Sequence, residues 1–68
     1  MKKEIILAEI NENIKNVENL KKKKVIQTIL NNPKWYIDVT LDTFINILFD
    51  LGYTKEKSIE LYKFLITH

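Results

Sequence analysis

Covalent chemistry by a side chain needs a nucleophile, a general base or a metal, usually with an orienting partner. The sequence offers few such groups. Its one histidine, His68, is the last residue, where a side chain is expected to fray. Ser58 has no base beside it, and is expected to make a small contact where the last two helices cross. Asp38 and Asp42 have the i, i+4 spacing of one helix face. Two carboxylates fall short of the ligand count of a hard cation. The simpler reading is negative charge favoured by a helix N-terminus. No glycine loop could cradle a phosphate, and there is no cysteine for a disulfide or a thiolate metal site. The chain is therefore expected to be no enzyme and to carry no cofactor or metal.

Charge and aromatic groups remain. Lys21, Lys22, Lys23 and Lys24 form an unbroken basic run. It reads first as a solvated helix end, with the stems lying on apolar surface and the ammoniums in water. The functional reading is an electrostatic patch for nucleic acid or an acidic protein, with Lys15 and Lys34 nearby. All eleven basic residues are Lys and none is Arg. Arg is preferred for bidentate contacts to guanine and phosphate, so sequence-specific DNA reading is disfavoured while backbone binding stays open. The net charge of +2 is too small to choose partners, although it excludes a strongly acidic DNA mimic. Trp35 and Tyr36 could form a binding anchor, because aromatic residues dominate interface hot spots. In so small a chain the only Trp is also a natural core residue.

These groups must be carried by elements that 68 residues can build. Hydrophobic residues are 46% of the chain, a globular share, and a single Gly and a single Pro favour helices over a β-fold. The expected fold is all-α, a compact bundle of three to five short helices forming one domain over 1–68. Ile6, Ile10, Ile14 and Val17 place a first helix over about Lys3 to Asn19, with Leu20 roughly continuing the stripe. Val25, Ile26, Ile29 and Leu30 form a second stripe pointing elsewhere. A break near Asn19 to Lys22, with Asn19 as N-cap, is the simpler reading, and one continuous helix over Lys3 to Leu30 is the alternative. Asn32 as N-cap with Pro33 at the first position could start a short turn, in which Trp35, Tyr36 and Ile37 pin the connection onto the core.

Thr40 is expected to cap a central helix, Leu41 to Leu51, whose apolar residues cover more than half its circumference. Gly52 should end it in the left-handed conformation, with Tyr53 closing the corner. Thr54 should cap the last helix, Lys55 to about Thr67. Its stripe is expected to be Ile59, Tyr62, Leu65 and Ile66, with Leu61 at the edge and Phe64 toward the polar side.

Two partial resemblances fall on this corner. Leu51, Gly52, Tyr53 and Ser58 resemble the loop and second helix of ubiquitin-associated domains over about a quarter of the chain, a likeness of geometry. The corner also resembles a DNA-binding helix-turn-helix with Gly52 in the turn. It departs where Leu48 replaces a small residue and Ser58 an apolar one, and the would-be recognition helix carries only Lys55, Lys57 and Lys63 as bases.

Large apolar side chains outnumber what a lone bundle of this size easily hides. Ile5, Leu7, Phe49 and Phe64 lie off or at the edge of their stripes. With Trp35 and Tyr36 they make the candidate partner-binding set. The leading expectation is a protein-interaction module, an inhibitor or adaptor docking on a larger host protein, self-associating as a homodimer. The alternative is a small DNA-binding regulator using the lysine run. Ile, Lys and Asn have AT-rich codons, which hints at an AT-rich bacterium, its phages or a mobile element. The apolar run Ile5 to Ala8 is too short for a signal peptide, and no stretch approaches a membrane span. A cytoplasmic protein without membrane contact is expected.

Overall fold

Local signals decide where the helices start. In the computed structural model, which describes residues 2–68, Asn19 Oδ1 accepts from the Lys22 amide at 3.1 Å, Thr40 Oγ1 from Thr43 at 3.2 Å and Thr54 Oγ1 from Lys57 at 3.1 Å. Each satisfies an amide left free in the first helical turn. The fold is all-α. Among the described residues five α-helices follow in order: α1 Lys3–Glu12, α2 Leu20–Leu30, α3 Trp35–Asp38, α4 Leu41–Asp50 and α5 Lys55–Thr67, with a 3₁₀ turn Asn13–Asn16 after α1. Among the described residues there is no strand, and no helix is long and apolar enough to cross a membrane. Met1, the first residue of the expected domain, lies outside the described residues.

Lys3 to Leu30 is two helices, broken where Asn19 caps the second. The first ends at Glu12, short of the expected Asn19. Asn13 and Asn16 are poor helix formers, and tertiary bonds draw them away. Asn13 Nδ2 donates to the Tyr53 hydroxyl at 2.8 Å and Asn16 Nδ2 to the Leu51 carbonyl at 3.4 Å. Leu20 does not continue the first stripe, since it opens α2 in solvent. Asn32 is not the N-cap of α3. It forms an Asx turn instead, accepting from the Lys34 amide at 3.0 Å, and α3 begins at Trp35. Ile37 is exposed and does not pin this connection.

α4 ends in a Schellman motif. Tyr53 N–H reaches the Leu48 carbonyl at 2.9 Å, Gly52 N–H reaches Phe49 at 3.0 Å, and Gly52 has φ of +102°. Beyond the corner α5 runs back along α4: Phe44, seven residues before Leu51, meets the ring of Tyr62, eight residues after Thr54, so the two helices form a roughly antiparallel pair. Ser58 is fully buried on α5, its Oγ donating to the Thr54 carbonyl at 2.7 Å. The buried face of α5 is Ser58, Leu61 and Leu65, so the expected stripe is rotated. Ile59 and Tyr62 are half-buried and Ile66 is exposed.

The core centres on Phe44. Trp35 stacks on its ring at 5.3 Å and Tyr62 meets it edge-on at 5.1 Å, with Tyr36 edge-on to Trp35 at 6.2 Å. Ile6, Ile10, Ile26, Leu30, Leu48, Leu51 and Leu65 complete one continuous cluster. The Cα radius of gyration is 11.0 Å, and a compact chain of this length should have about 11 Å.

Candidate protein-binding face

The groups that could do covalent chemistry are occupied structurally. The Ser58 hydroxyl proton is taken by the Thr54 carbonyl. His68 is not frayed: its ring stacks on Phe64 at 4.2 Å and its Nδ1 lies 3.1 Å from the Phe64 carbonyl. Asp38 accepts from Asn32 Nδ2 at 3.0 Å. Among the described residues no three potential metal ligands cluster. The Tyr53 hydroxyl donates to Glu9 Oε1 at 3.1 Å and accepts from Asn13. Burial, and then the Glu9 carboxylate, push its pKa up to about 12. The phenol is thereby held neutral as a clamp from α1 to the α4–α5 corner.

The lysine run does not make one patch. Successive helical residues turn by about 100°, so four in a row encircle the helix. Lys22 Nζ pairs with Asp50 at 3.3 Å, and Lys23 is half-buried. Lys21 and Lys24 are exposed. The run also occupies the first turn of α2, the positive end of the helix dipole, where cations are disfavoured.

The apolar groups sort more sharply. On α4, Phe44, Leu48 and Leu51 form the core stripe. A second apolar row, Leu41, Ile45 and Phe49, runs beside it at i, i+4, i+8. Leu41 is 38% exposed, Phe49 70% exposed and Ile45 half-buried. On α5, Ile59 and Ile66 flank the buried face in the same way, Ile66 being 50% exposed. In an antiparallel pair the two helices turn in opposite senses when viewed from one end. Rows displaced by a positive angle from the mutual contact therefore emerge on the same side of the pair. The opposite side is closed. There Asp50 meets Lys22 of α2, and Leu61 and Phe64 meet Ile6 of α1 around a pocket of about 110 Å³. The α4–α5 hairpin thus has a covered side and an open side. The open side carries Leu41, Ile45, Phe49, Ile59 and Ile66.

Of the six apolar residues expected to bind a partner, only Phe49 lies on this face. Trp35 at 2% and Tyr36 at 4% exposure are core residues, because Phe44 leaves an aromatic-sized gap that Trp35 fills. Leu7 and Phe64 are half-buried against the core. Leu7 lines an open groove of about 360 Å³ with Leu30 and Trp35, and Phe64 covers Ile6. Ile5 is exposed on α1, a different helix. Sequence reasoning missed Leu41, Ile45, Ile59 and Ile66. The signal available was the second i, i+4, i+8 row on α4, more apolar surface than one core contact uses.

Compared with models of protein families, with curated proteins and with solved structures, the chain finds no match. The likeness to ubiquitin-associated domains therefore rests on Leu51, Gly52, Tyr53 and Ser58 alone, and that to a helix-turn-helix on Gly52 in the turn.

Proposed function

We propose that the chain is a non-enzymatic, cytoplasmic protein-binding module. It docks on another protein through the open side of the α4–α5 hairpin and acts stoichiometrically, as an inhibitor or adaptor. The observation that carries this reading is Phe49, a large aromatic side chain 70% exposed at the C-terminal end of α4, in a capped pair of helices. It belongs to a row of apolar residues, unlike the single exposed Leu20, Val25 and Ile37. Contiguous exposed apolar surface on a folded chain marks an interaction site. Covering a Phe of this kind is worth about 1.5–3 kcal/mol, and aromatic anchors dominate binding energy.

The test uses three baits in a lysate of the cell that encodes the chain: the natural sequence, Phe49→Glu, and Lys21→Ser with Lys24→Ser. The reading expects a protein captured by the first and third and lost with the second. Capture that survives Phe49→Glu but needs the lysines would overturn it. So would duplex-DNA affinity that falls steeply with salt and is lost with those lysines.

A further inference from the structure

A second surface lies between α1 and α2. The two helices do not pack closely on each other: α1 rests on α5 and the 3₁₀ turn, and α2 on that turn. Two open grooves between them, of about 360 and 230 Å³, share Asn11, Leu30 and Asn31 and so form one trough. Its apolar wall includes Leu7, Leu30 and Trp35. α1 and the turn line it from Glu4 to Ile14, about 15 Å along the axis. An extended peptide of about four or five residues has that length.

The trough holds hydrogen-bonding capacity that the chain leaves unused. Asn11, Gln27 and Asn31 line it, and none of their carboxamides bonds to another group among the described residues. Trp35 is only 2% exposed, and its indole N–H is likewise without a partner there. No fully enclosed side-chain nitrogen or oxygen lacks a partner among the described residues, so that N–H sits on the sliver of Trp35 that reaches open space. Trp35 also borders a groove of about 320 Å³ with Thr28, Asn32 and Asp38. There the polar groups are bonded within the chain: Thr28 Oγ1 donates to the Lys24 carbonyl at 2.9 Å, and Asn32 Nδ2 to Asp38 at 3.0 Å. The unsatisfied groups collect on the trough.

We infer that the trough binds an extended peptide segment of another protein and holds it by its main chain. A helix satisfies its own N–H and C=O groups and would leave these four side chains without partners. An extended segment presents free main-chain N–H and C=O groups along its length. Carboxamides offer both donors and an acceptor, and the indole offers a donor, so the set complements a peptide backbone. Charge does not choose the occupant, because the margins carry both signs. Glu4 lines the trough, Lys23 stands one turn before Gln27, and Lys34 lies between Pro33 and Trp35. Lys3 is turned onto the Tyr36 ring at 5.5 Å, and Lys15 pairs with Glu12 at 3.6 Å. Binding through neutral groups is therefore nearly indifferent to salt. The site is separate from the open side of the α4–α5 hairpin and does not depend on Phe49.

The experiment selects binders from a displayed library of random peptides on the intact chain, then titrates the most enriched peptide into the isotope-labelled protein. Trp35 is the only tryptophan, so its indole N–H gives a single NMR resonance. That resonance and the side-chain amides of Asn11, Gln27 and Asn31 are expected to move. Affinity should change less than about twofold between about 0.05 and about 0.5 M salt. N-methylation of a contacted peptide amide should weaken binding about tenfold, since it removes the N–H, and it tests main-chain recognition on the natural sequence. Ala8→Trp, which fills the trough from an exposed position, should abolish binding while keeping the folded spectrum. Asn11→Leu with Asn31→Leu should weaken it at least about tenfold, and Phe49→Glu should bind as the natural chain does. No enriched peptide, a helical bound peptide, an indole resonance that stays put, or binding lost with Phe49→Glu and kept with Ala8→Trp would overturn the inference.

Discussion

The two sides of the α4–α5 hairpin are built from the same kinds of residue and do opposite work. On the covered side Phe44, Leu48, Leu61 and Leu65 are sealed beneath α1, α2 and α3. On the open side Leu41, Phe49 and Ile66 stand in water. Hydrophobicity alone does not separate them. What separates them is whether another element of the chain is close enough to cover the row. The lesson is that folding free energy is concentrated on one side, while the other is left uncovered by the chain.

Substitutions on the two sides should therefore differ most in stability. Phe44→Ala removes a fully buried ring from between Trp35 and Tyr62, and should cost about 3–5 kcal/mol. Phe49→Ala, five residues along the same helix, should stay within about 0.5 kcal/mol. Urea unfolding of both would check this, and equal losses would break the distinction between the sides. The corner that sets the sides in register should respond next. Gly52→Ala meets no neighbouring atom within 4 Å, so its penalty is one of backbone conformation. About 1–2 kcal/mol is expected. A calorimetric melt no lower than that of the natural chain would show that the positive φ is not required.

Smaller effects should come from the fittings of the covered side. Asn19→Ala and Thr54→Ala each remove an N-cap acceptor and should cost about 1 kcal/mol. The two losses should be nearly additive, because the caps belong to different helices. The smallest effect concerns pH. The folded Tyr53 pKa, about 12, lies above the usual tyrosine value near 10. The folded state therefore holds that proton more tightly than the unfolded state. This contribution is complete below about pH 10 and is lost as pH rises from about 10 to about 12. Phenolate absorbance should show a late-titrating component that is lost in Tyr53→Phe, and the alkaline fall in stability should be shallower in that variant. A late component of unchanged amplitude in Tyr53→Phe would remove the clamp from α1 to the corner.

What was legible in the sequence was mostly local. Asn19, Thr40 and Thr54 act on amides three residues away. Gly52 needs only its own backbone. The break between α1 and α2 followed from two stripes that one straight helix could not bury together. The rotated face of α5 was not legible in the same way. Ile59, Tyr62 and Ile66 make as good a helical row as Ser58, Leu61 and Leu65, and the smaller serine looks like the outsider. A side chain that small is what a close helix crossing accommodates, and the crossing exists only once the chain has folded.

The lysine run teaches the same point from the polar side. Four consecutive cations look like one patch in a linear sequence, yet a helix spreads them around its axis and Asp50, 28 residues away, takes one. The sequence by itself determined that the chain is helical, where its helices are capped and that its apolar residues are in surplus. Those are properties of short segments and of composition. Only tertiary structure decided which apolar row is covered, that Trp35 belongs inside and that Phe49 stands outside. That choice depends on which helices arrive on which side of the hairpin, and helix periodicity carries no information about neighbours distant in sequence.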